Sequence, residues 1–260
     1  MTKDEWTGTI SDVIAQKTIT LTAVTFLKGW NTDSKPVALQ CSDGQEYVIK
    51  GRHSLSHVGK MERVCTNEQV VARIGKAMGA PVSDVALVEV SQQFIDINPS
   101  MSHMMAGICH GCKLISDCSE REALDNLALP ENRERFARLS VLFGIMQAGD
   151  YQLFYKTFDP KLVFSFDHGF FFPGGPQWTI ASLQNALQVT LDAWIANGAS
   201  LTDNEKATAL DQLRLITQNV IAEAVGAPSD EWLTLDERAE LAVFIERRVS
   251  YLLPVAHQGN

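Results

Sequence analysis

Residues 36–50 read Pro36-Val-Ala-Leu-Gln-Cys-Ser-Asp-Gly-Gln-Glu-Tyr-Val-Ile-Lys50. Two apolar runs, Val37–Cys41 and Glu46–Lys50, flank an Asp-Gly pair, which is a strong signal for a β-hairpin. Because the turn joins neighbouring segments directly, the two runs are predicted to pair as antiparallel strands. This hairpin ends on a lysine, and the rest of the fold can be worked out on either side of it.

The segments around the hairpin predict a small sheet with one helix. The β-branched, alternating run at 18–26 predicts a strand before the hairpin. Apolar spacing predicts a helix over 66–79, with Thr66 and Gln69 as its capping box. A buried strand is predicted over 82–90. The first third therefore has the order β-β-β-α-β.

The remainder of the chain is predicted to be mainly helical. Residues 91–118 are irregular and predict loop with short elements, and Ser119 with Glu122 predicts a helix start. The other predicted elements are a helix over 131–147, a strand over 162–166, and helices near 180–197, 202–225 and 234–253, the last two with capping boxes at Thr202 and Thr234. The expected fold class is α+β: one domain of two lobes, with a β-rich N-terminal lobe (1–92) and a helical C-terminal lobe (93–260).

Composition limits the classes of partner. The chain has 260 residues and a formal net charge of -9, which disfavours broad contact with nucleic-acid phosphates. No apolar run approaches the roughly 20 residues of a membrane span, and the expected location is the cytoplasm. The five cysteines are expected to be reduced thiols. A zinc site using Cys109 and Cys112 is the alternative.

Four residues have the chemistry that phosphoryl transfer requires. Lys50 ends an apolar strand, and Glu68 in the following helix is its natural partner. Asp150 and Asp167 each end an apolar element and are suited to metal binding or general-base work. Taken singly, each also fits a simpler interpretation: Lys50 as an exposed charge at a strand end, Glu68 as a first-turn acid, and the two aspartates as turn residues.

The order of these residues resembles one family, the HipA-like kinases, over about residues 20–175. The motifs that carry the resemblance are Asp43-Gly44, Tyr47-Val-Ile-Lys50, Thr66-Asn67-Glu68, Gly149-Asp150 and Phe166-Asp167-His168-Gly169. The resemblance implies a bilobed kinase fold, ATP with Mg²⁺, and phosphorylation of protein serine or threonine. It also implies roles: Lys50 holds the α- and β-phosphates, Glu68 orients Lys50, Asp167 binds Mg²⁺ and Asp150 is the base.

Further positions follow from the same resemblance. Ser34 and Lys35 fall where a phosphate-covering loop belongs, although the segment lacks a Gly-x-Gly-x-x-Gly pattern. Glu89 and Val90 end the strand that looks like the approach to the adenine-contacting hinge. His168 is expected to orient the loop beside Asp167.

The sequence departs from the family in the catalytic loop. Tyr155 stands where an asparagine ligand to the metal is usual, and a protonated phenol is a poor Mg²⁺ ligand. Tyr151 and Gln152 replace the usual Arg-His pair, and Gln152 is the candidate substitute ligand. Two interpretations remain: an active kinase, or a nucleotide-binding pseudokinase that acts as a regulatory or partner-binding module.

Other classes stay open at this stage. Nucleotidyl transfer to a protein hydroxyl would need the nucleotide held in a different orientation. A metal-dependent hydrolase would combine Asp150, Asp167 and His168 with the region 109–112. A partner-docking surface would expose aromatic residues of the helical part: Trp194, Trp232 and Tyr251.

The basic segment after Lys50 is a further candidate. It contains Arg52, His53, His57 and Lys60, and is predicted to be a solvated loop or one that faces phosphate or substrate. Ser54 and Ser56 within it are candidate self-phosphorylation sites.

Overall fold

The computed structural model describes residues 1–16, 20–32, 34–52, 61–121, 123–186 and 188–253. The strands are β1 (Thr20–Gly29), β2 (Val37–Cys41), β3 (Glu46–Lys50), β4 (Val85–Val90), β5 (Gly107–Lys113), β6 (Cys118–Arg121), β7 (Leu153–Lys156) and β8 (Val163–Ser165). The α-helices are α1 (Lys3–Ala15), α2 (Met61–Ala77), α3 (Gln92–Asp96), α4 (Pro130–Met146), α5 (Ile180–Asn185), α6 (Ala193–Gly198), α7 (Asp203–Asp211), α8 (Gln218–Gly226) and α9 (Leu235–Leu252).

Five strands close into a barrel in the order β1-β2-β3-β5-β4. The predicted hairpin is confirmed, since β2 pairs antiparallel with β3 in the register Val37↔Ile49. Closure comes from β1 and β4, which pair in parallel. Alternate side chains fill the barrel, among them Leu39, Tyr47 and Val88. The opposite face of β3, β5 and β4 carries Lys50 at the end of the hairpin.

Strand β5 lies inside the segment that was predicted to be loop, and that prediction is wrong. β5 pairs with both β3 and β4, so the barrel extends past the expected lobe boundary at residue 92. Its two glycines weaken the strand signal in the sequence. Gly111 is required by packing, because a Cβ there would lie 2.8 Å from Cγ2 of Val88. Since β5 is the last barrel strand in chain order, the chain leaves the barrel after β5.

Helix α2 begins earlier than predicted. It starts at Met61, so Thr66 lies inside the helix and is not its cap; the Thr66 hydroxyl donates to the carbonyl of Glu62 one turn back, at 2.8 Å. Threonine can bond in this way within a helix, which makes it an ambiguous boundary signal. Every residue from 63 to 72 is buried. α2 is thus enclosed on all sides, between the barrel and the helical lobe.

The predicted helix start at Ser119 is also wrong, and Glu122 lies outside the described residues. Ser119 belongs to β6, which pairs with β7 opposite Tyr155. β7 in turn pairs with β8, forming a small three-stranded sheet. The pairing of β6 with β7 joins segments more than 30 residues apart, and no local sequence pattern indicates it. The helix after Pro130 and the strand before Asp167 are confirmed.

The C-terminal helices lie where they were predicted, but two of the three are broken into shorter helices. The capping boxes at Thr202 and Thr234 are present, and α9 matches its prediction closely. The other two predicted helices are each interrupted. Asp192 caps α6 by accepting from the amide of Ile195 at 3.0 Å, and Thr217 caps α8. Polar side chains that can cap a helix also end the preceding one.

The N-terminal helix α1 was not predicted. It packs on α8 and α9, with Trp6 and Ile10 fully buried in the helical lobe. The indole Nε1 of Trp6 donates to the Glu246 carboxylate on α9 at 3.0 Å. The first helix of the chain therefore belongs to the C-terminal lobe.

The α+β class and the bilobed arrangement are confirmed. A β-rich lobe stands on a largely helical one, with α2 between them. Among the helices in the described ranges, none has both the length and the apolar character that crossing a bilayer would demand.

Candidate active site

Lys50 is the central cation of the site. It ends β3 and is 7% exposed, and its Nζ lies 2.6 Å from Oε1 of Glu68 and 2.6 Å from Oδ1 of Asp167. Burial disfavours the ammonium, but the two carboxylates outweigh this effect and raise the pKa of Lys50 above its usual value. Lys50 therefore stays charged in the fold. The interpretation of Lys50 as an exposed strand-end charge is excluded.

Glu68 connects α2 to both lobes. Its Oε1 contacts Lys50, while its Oε2 accepts the backbone N–H of His168 at 2.9 Å. Burial alone would raise the pKa of Glu68, but the attraction of Lys50 and these hydrogen bonds lower it. An ionised carboxylate with donors on both oxygens has a fixed orientation. Glu68 thus holds the lysine of one lobe and the backbone of the other.

Asp167 is the member of this cluster that solvent can reach. Its side chain is 25% exposed, against 8% for Lys50 and 4% for Glu68. Its φ of 56° lies in the left-handed region, which is uncommon for a non-glycine residue and turns the chain sharply after β8. Burial and the nearby Glu68 raise the pKa of Asp167, and Lys50 opposes them. An accessible carboxylate in this position can bind a metal ion, either alone or together with the phosphates of a ligand.

Asp150 and Gln152 lie in the loop between α4 and β7. One Asp150 oxygen accepts the N–H of Tyr151 at 2.8 Å, and the other accepts from Nε2 of Gln152 at 3.3 Å. Gly149 packs so closely on the segment after Asp167 that a Cβ there would lie 2.3 Å from the carbonyl oxygen of Phe170. The Asp150 loop and the Asp167 segment are therefore neighbours.

Tyr155 does not face this loop. Its side chain is buried in the helical lobe, where the hydroxyl donates to the carbonyl of Ala123 at 3.1 Å and accepts from the amide of Asp125 at 2.9 Å. Burial raises the pKa of Tyr155 to about 12. β7 begins directly after Gln152, so Tyr155 lies within a strand rather than in a ligand-bearing loop. Tyr155 therefore does not occupy the place of a metal-binding asparagine in this fold.

His168 is enclosed next to Asp167. Its Nε2 lies 2.9 Å from Oγ of Ser165, and its Nδ1 lies 3.9 Å from Oε2 of Glu68. Burial lowers the pKa of His168. These contacts support the loop-orienting role that the sequence predicts for His168, and that role stays a prediction.

The predicted phosphate-covering residues lie at the tip of the β1–β2 hairpin. The register Val37↔Ile49 places this tip at the same end of the barrel as Lys50. Lys35 is exposed and has a left-handed φ of 41°, and its carbonyl oxygen lies 2.9 Å from Nε2 of His103. Within the described chain, neither Ser34 nor Lys35 makes a hydrogen bond or ion pair with the Lys50 cluster. Their role stays a prediction.

The predicted hinge residues are misplaced. Val90 is fully buried in the barrel core, and Glu89 is exposed on β4, where it pairs with Thr22 and Ile108. The strand that leads to the other lobe is β5, and its end at Lys113 lies opposite Tyr47, away from Glu89 and Val90. Glu89 and Val90 are therefore not at the connection between the lobes.

Other sequence-based candidates can be placed by geometry. Cys109 points into the barrel and Cys112 points to the opposite face of β5, so the two thiols cannot share one metal ion. Trp232 is buried, whereas Trp194 and Tyr251 are exposed. The candidates His53, Ser54, Ser56, His57 and Lys60 lie outside the described residues.

Two buried polar residues beside Glu68 were not predicted as functional. Asn67 bonds to the segment after Asp167, and Gln69 reaches the barrel through the Ala86 carbonyl at 2.8 Å and Nδ1 of His110 at 2.9 Å. The available signal is the run Thr66-Asn-Glu-Gln69, because four successive polar residues cannot all face solvent when a helix is enclosed. Without knowledge of that enclosure, the run resembles an ordinary helix start.

Comparison with known proteins agrees with this geometry. The sequence model for "HipA-like kinase" matches residues 27–137. A search of curated proteins gave no match. Among solved structures, the chain is similar to the Helicobacter pylori proinflammatory kinase CtkA, with 14% identity, a TM-score of 0.61, and coverage of 92% of this chain and 97% of that one.

A weaker likeness is to a Golgi casein kinase, with 8% identity, a TM-score of 0.48, and coverage of 98% of this chain and 77% of that one. At such identities a solved structure informs on the fold only. The match over residues 27–137 covers the hairpin, Lys50 and Glu68. Residues 27–137 therefore resemble the HipA-like kinases in sequence, and the chain as a whole has a protein-kinase-like fold.

Proposed function

We propose that the chain is an ATP- and Mg²⁺-dependent phosphotransferase that acts on serine or threonine hydroxyls of a protein. The observation that carries this proposal is the contact of Lys50 with both Glu68 and Asp167. Phosphoryl transfer depends mainly on positioning and on charge stabilisation, and a lysine held by a helix glutamate beside a metal-binding aspartate supplies both.

The donor set suits a nucleotide with Mg²⁺. Asp167, Asp150 and Gln152 offer side-chain oxygens, the ligand type that Mg²⁺ prefers. In the described part of the chain, no cluster of three or more His, Cys, Asp or Glu side chains is arranged to hold a metal ion unaided. Mg²⁺ in kinase sites relies on one or two carboxylates together with substrate phosphates, so this donor set fits such an ion.

Each residue has a separate task in the proposed reaction. Lys50 binds the α- and β-phosphates, Glu68 keeps Lys50 oriented, and Asp167 binds Mg²⁺, which when bound neutralises charge on the phosphates. The carboxylate of Asp150 accepts the proton of the attacking hydroxyl. A new bond then joins that hydroxyl oxygen to the γ-phosphorus, while the bond from the γ-phosphorus to the β–γ bridging oxygen breaks and ADP leaves.

A nucleotide-binding pseudokinase is the second candidate. The observation that favours it is the burial of the Tyr155 side chain in the helical lobe. The candidate metal ligand beside the proposed base Asp150 is then Gln152, through its side-chain carbonyl. With Tyr155 bonded inside the helical lobe, the usual amide ligand to the metal is missing from its place, and this would slow transfer more than it would weaken nucleotide binding.

ATP affinity with and without Mg²⁺, measured for the native chain and for Asp167→Ala, tests the proposal. We expect Mg²⁺ to strengthen ATP binding in the native chain and to have little effect in the variant. Asp84→Ala is the control, because it removes an exposed carboxylate that pairs with Lys76. Transfer of radiolabelled phosphate to generic protein substrates then separates the two candidates. Absence of ATP binding by the native chain would overturn both.

A further inference from the structure

Asn67 on α2 is fully buried and all its polar atoms are used. Its Nδ2 donates to the carbonyls of Gly169 at 2.7 Å and Phe171 at 3.0 Å, with Gly175 at 3.4 Å. Its Oδ1 accepts from the indole N–H of Trp178 at 2.9 Å. The reverse amide orientation would set oxygen against carbonyl oxygens, so the surroundings determine this one.

The acceptors all belong to the segment that follows Asp167. This segment contains several left-handed residues: Asp167 and Phe172 among the non-glycines, with φ of 56° and 72°, and Gly174 and Gly175. A non-glycine residue in this region persists when surrounding structure holds it there. Buried carbonyls also need partners. The Asn67 amide supplies them at three points along the segment.

Two more residues on α2 contact the same segment. Arg63, one turn before Asn67, places its guanidinium 4.0 Å from the centre of the Trp178 ring and pairs with Glu237 on α9. Val64 packs against Gly169, where a Cβ would lie 2.7 Å from Cγ1 of Val64. Arg63, Val64 and Asn67 form what we name the anchor face of α2.

We infer that Asn67 is a positioning residue that sets Asp167 relative to Lys50 and Glu68; the inference rests on the proposed function. Glu68 reaches Lys50 from the same helical turn from which Asn67 holds the segment after Asp167. The two acids therefore approach the cation together. A displacement of α2 that moves Glu68 away from Lys50 also moves Asp167 away from Lys50. Metal binding by Asp167 and orientation of Lys50 by Glu68 are then lost together.

The anchor can be tested without nucleotide, by hydrogen exchange of the backbone amides of residues 168–178. Asn67→Leu removes the donors while roughly keeping the side-chain volume. We expect exchange in this segment to become at least about tenfold faster, as loss of buried hydrogen bonds lowers the free energy of local opening. Asn132→Leu is the matched control, because Asn132 on α4 is also fully buried and bonds to Lys161 and Val163, which lie outside residues 168–178.

The functional consequence has its own measurement. In Asn67→Leu, we expect Mg²⁺-dependent ATP affinity to fall about tenfold while ATP affinity without Mg²⁺ changes little. In Asn132→Leu, the ratio of the two affinities is expected to match the native ratio. Equal loss with and without Mg²⁺ would overturn the positioning role.

The outcomes separate this inference from the proposed function. If the native chain binds no ATP, the proposed function fails, and unchanged exchange at 168–178 in folded Asn67→Leu independently overturns the anchor. If Asn67→Leu does not fold, Trp178→Phe removes the indole N–H and keeps a ring over Arg63. Exchange about threefold faster in that variant supports the anchor, since one hydrogen bond is lost; native-like exchange overturns it.

Discussion

Asp167 and Glu68 contact the same ammonium group, that of Lys50, each at 2.6 Å. The three side chains come from different parts of the fold: the end of β3, the middle of α2 and the turn after β8. One buried cation thus joins the barrel, the central helix and the helical lobe. Both the stability of the protein and its proposed chemistry depend on this contact.

Lys50→Met is expected to lower the free energy of unfolding by about 3–5 kcal/mol, because it leaves buried carboxylates without a cation. Urea unfolding at pH 7.5 measures the loss. Lys76→Met provides the comparison, since the Lys76–Asp84 pair is largely exposed and such pairs contribute about 1 kcal/mol or less. Similar losses in the two variants would show that the Lys50 cluster is not the junction described here.

His110 predicts a pH dependence of stability. Burial, reinforced by Lys50, lowers the pKa of His110 well below its usual value. As the pH falls below about 6.5, the unfolded histidine binds a proton that the folded one does not, so stability falls by up to about 1.4 kcal/mol per pH unit. In His110→Gln, urea unfolding between pH 7 and pH 5 is expected to show a smaller decline.

The control for this pH effect is His103→Gln, which alters a partly exposed histidine near the β1–β2 tip. Its pH profile is expected to follow the native profile more closely than that of His110→Gln. A native profile that is flat over this range would contradict the prediction.

Tyr155→Asn tests whether this position can bind metal. The Tyr155 hydroxyl is bonded inside the helical lobe, so an asparagine there would not reach the Asp150 loop. We expect no gain in Mg²⁺-dependent ATP affinity and a loss of stability of about 3–5 kcal/mol from the cavity. Tyr155→Phe, which removes the hydroxyl alone, should cost about 1–3 kcal/mol. Tighter Mg²⁺-dependent binding in Tyr155→Asn would show that the position does face the metal.

Asp150→Asn tests the proposed base. The amide keeps the size of the side chain and can still accept the N–H of Tyr151, but it cannot take a proton from a hydroxyl. If the native chain transfers phosphate, kcat is expected to fall about 10²–10⁴-fold while ATP affinity stays near the native value. A parallel loss of ATP affinity would instead indicate that Asp150 acts in nucleotide or metal binding.

The sequence predicted the parts of the fold that neighbouring residues specify. The Asp43-Gly44 hairpin, the capping boxes at Thr202 and Thr234, and the strand before Asp167 were all found in place. Turns and caps depend on contacts within a few residues, so they can be recognised from the chain alone. The order of Lys50, Glu68, Asp150 and Asp167 was also enough to indicate a resemblance to the HipA-like kinases, whose sequence model matches residues 27–137.

Pairing between distant segments decided the rest. In β5, Gly111 leaves room for the side chain of Val88. Tyr155 lies in β7, which pairs with β6 and β8, and its side chain is buried in the helical lobe. Likewise, α2 is buried on all sides, which turns Asn67 from an apparent helix-start residue into an anchor for the Asp167 segment. By itself, then, the sequence determined the hairpin, the helix caps and the strand before Asp167, and it indicated the candidate reactive residues. Their assembly around Lys50 was decided by tertiary structure alone, because register and burial depend on residues far apart in the chain.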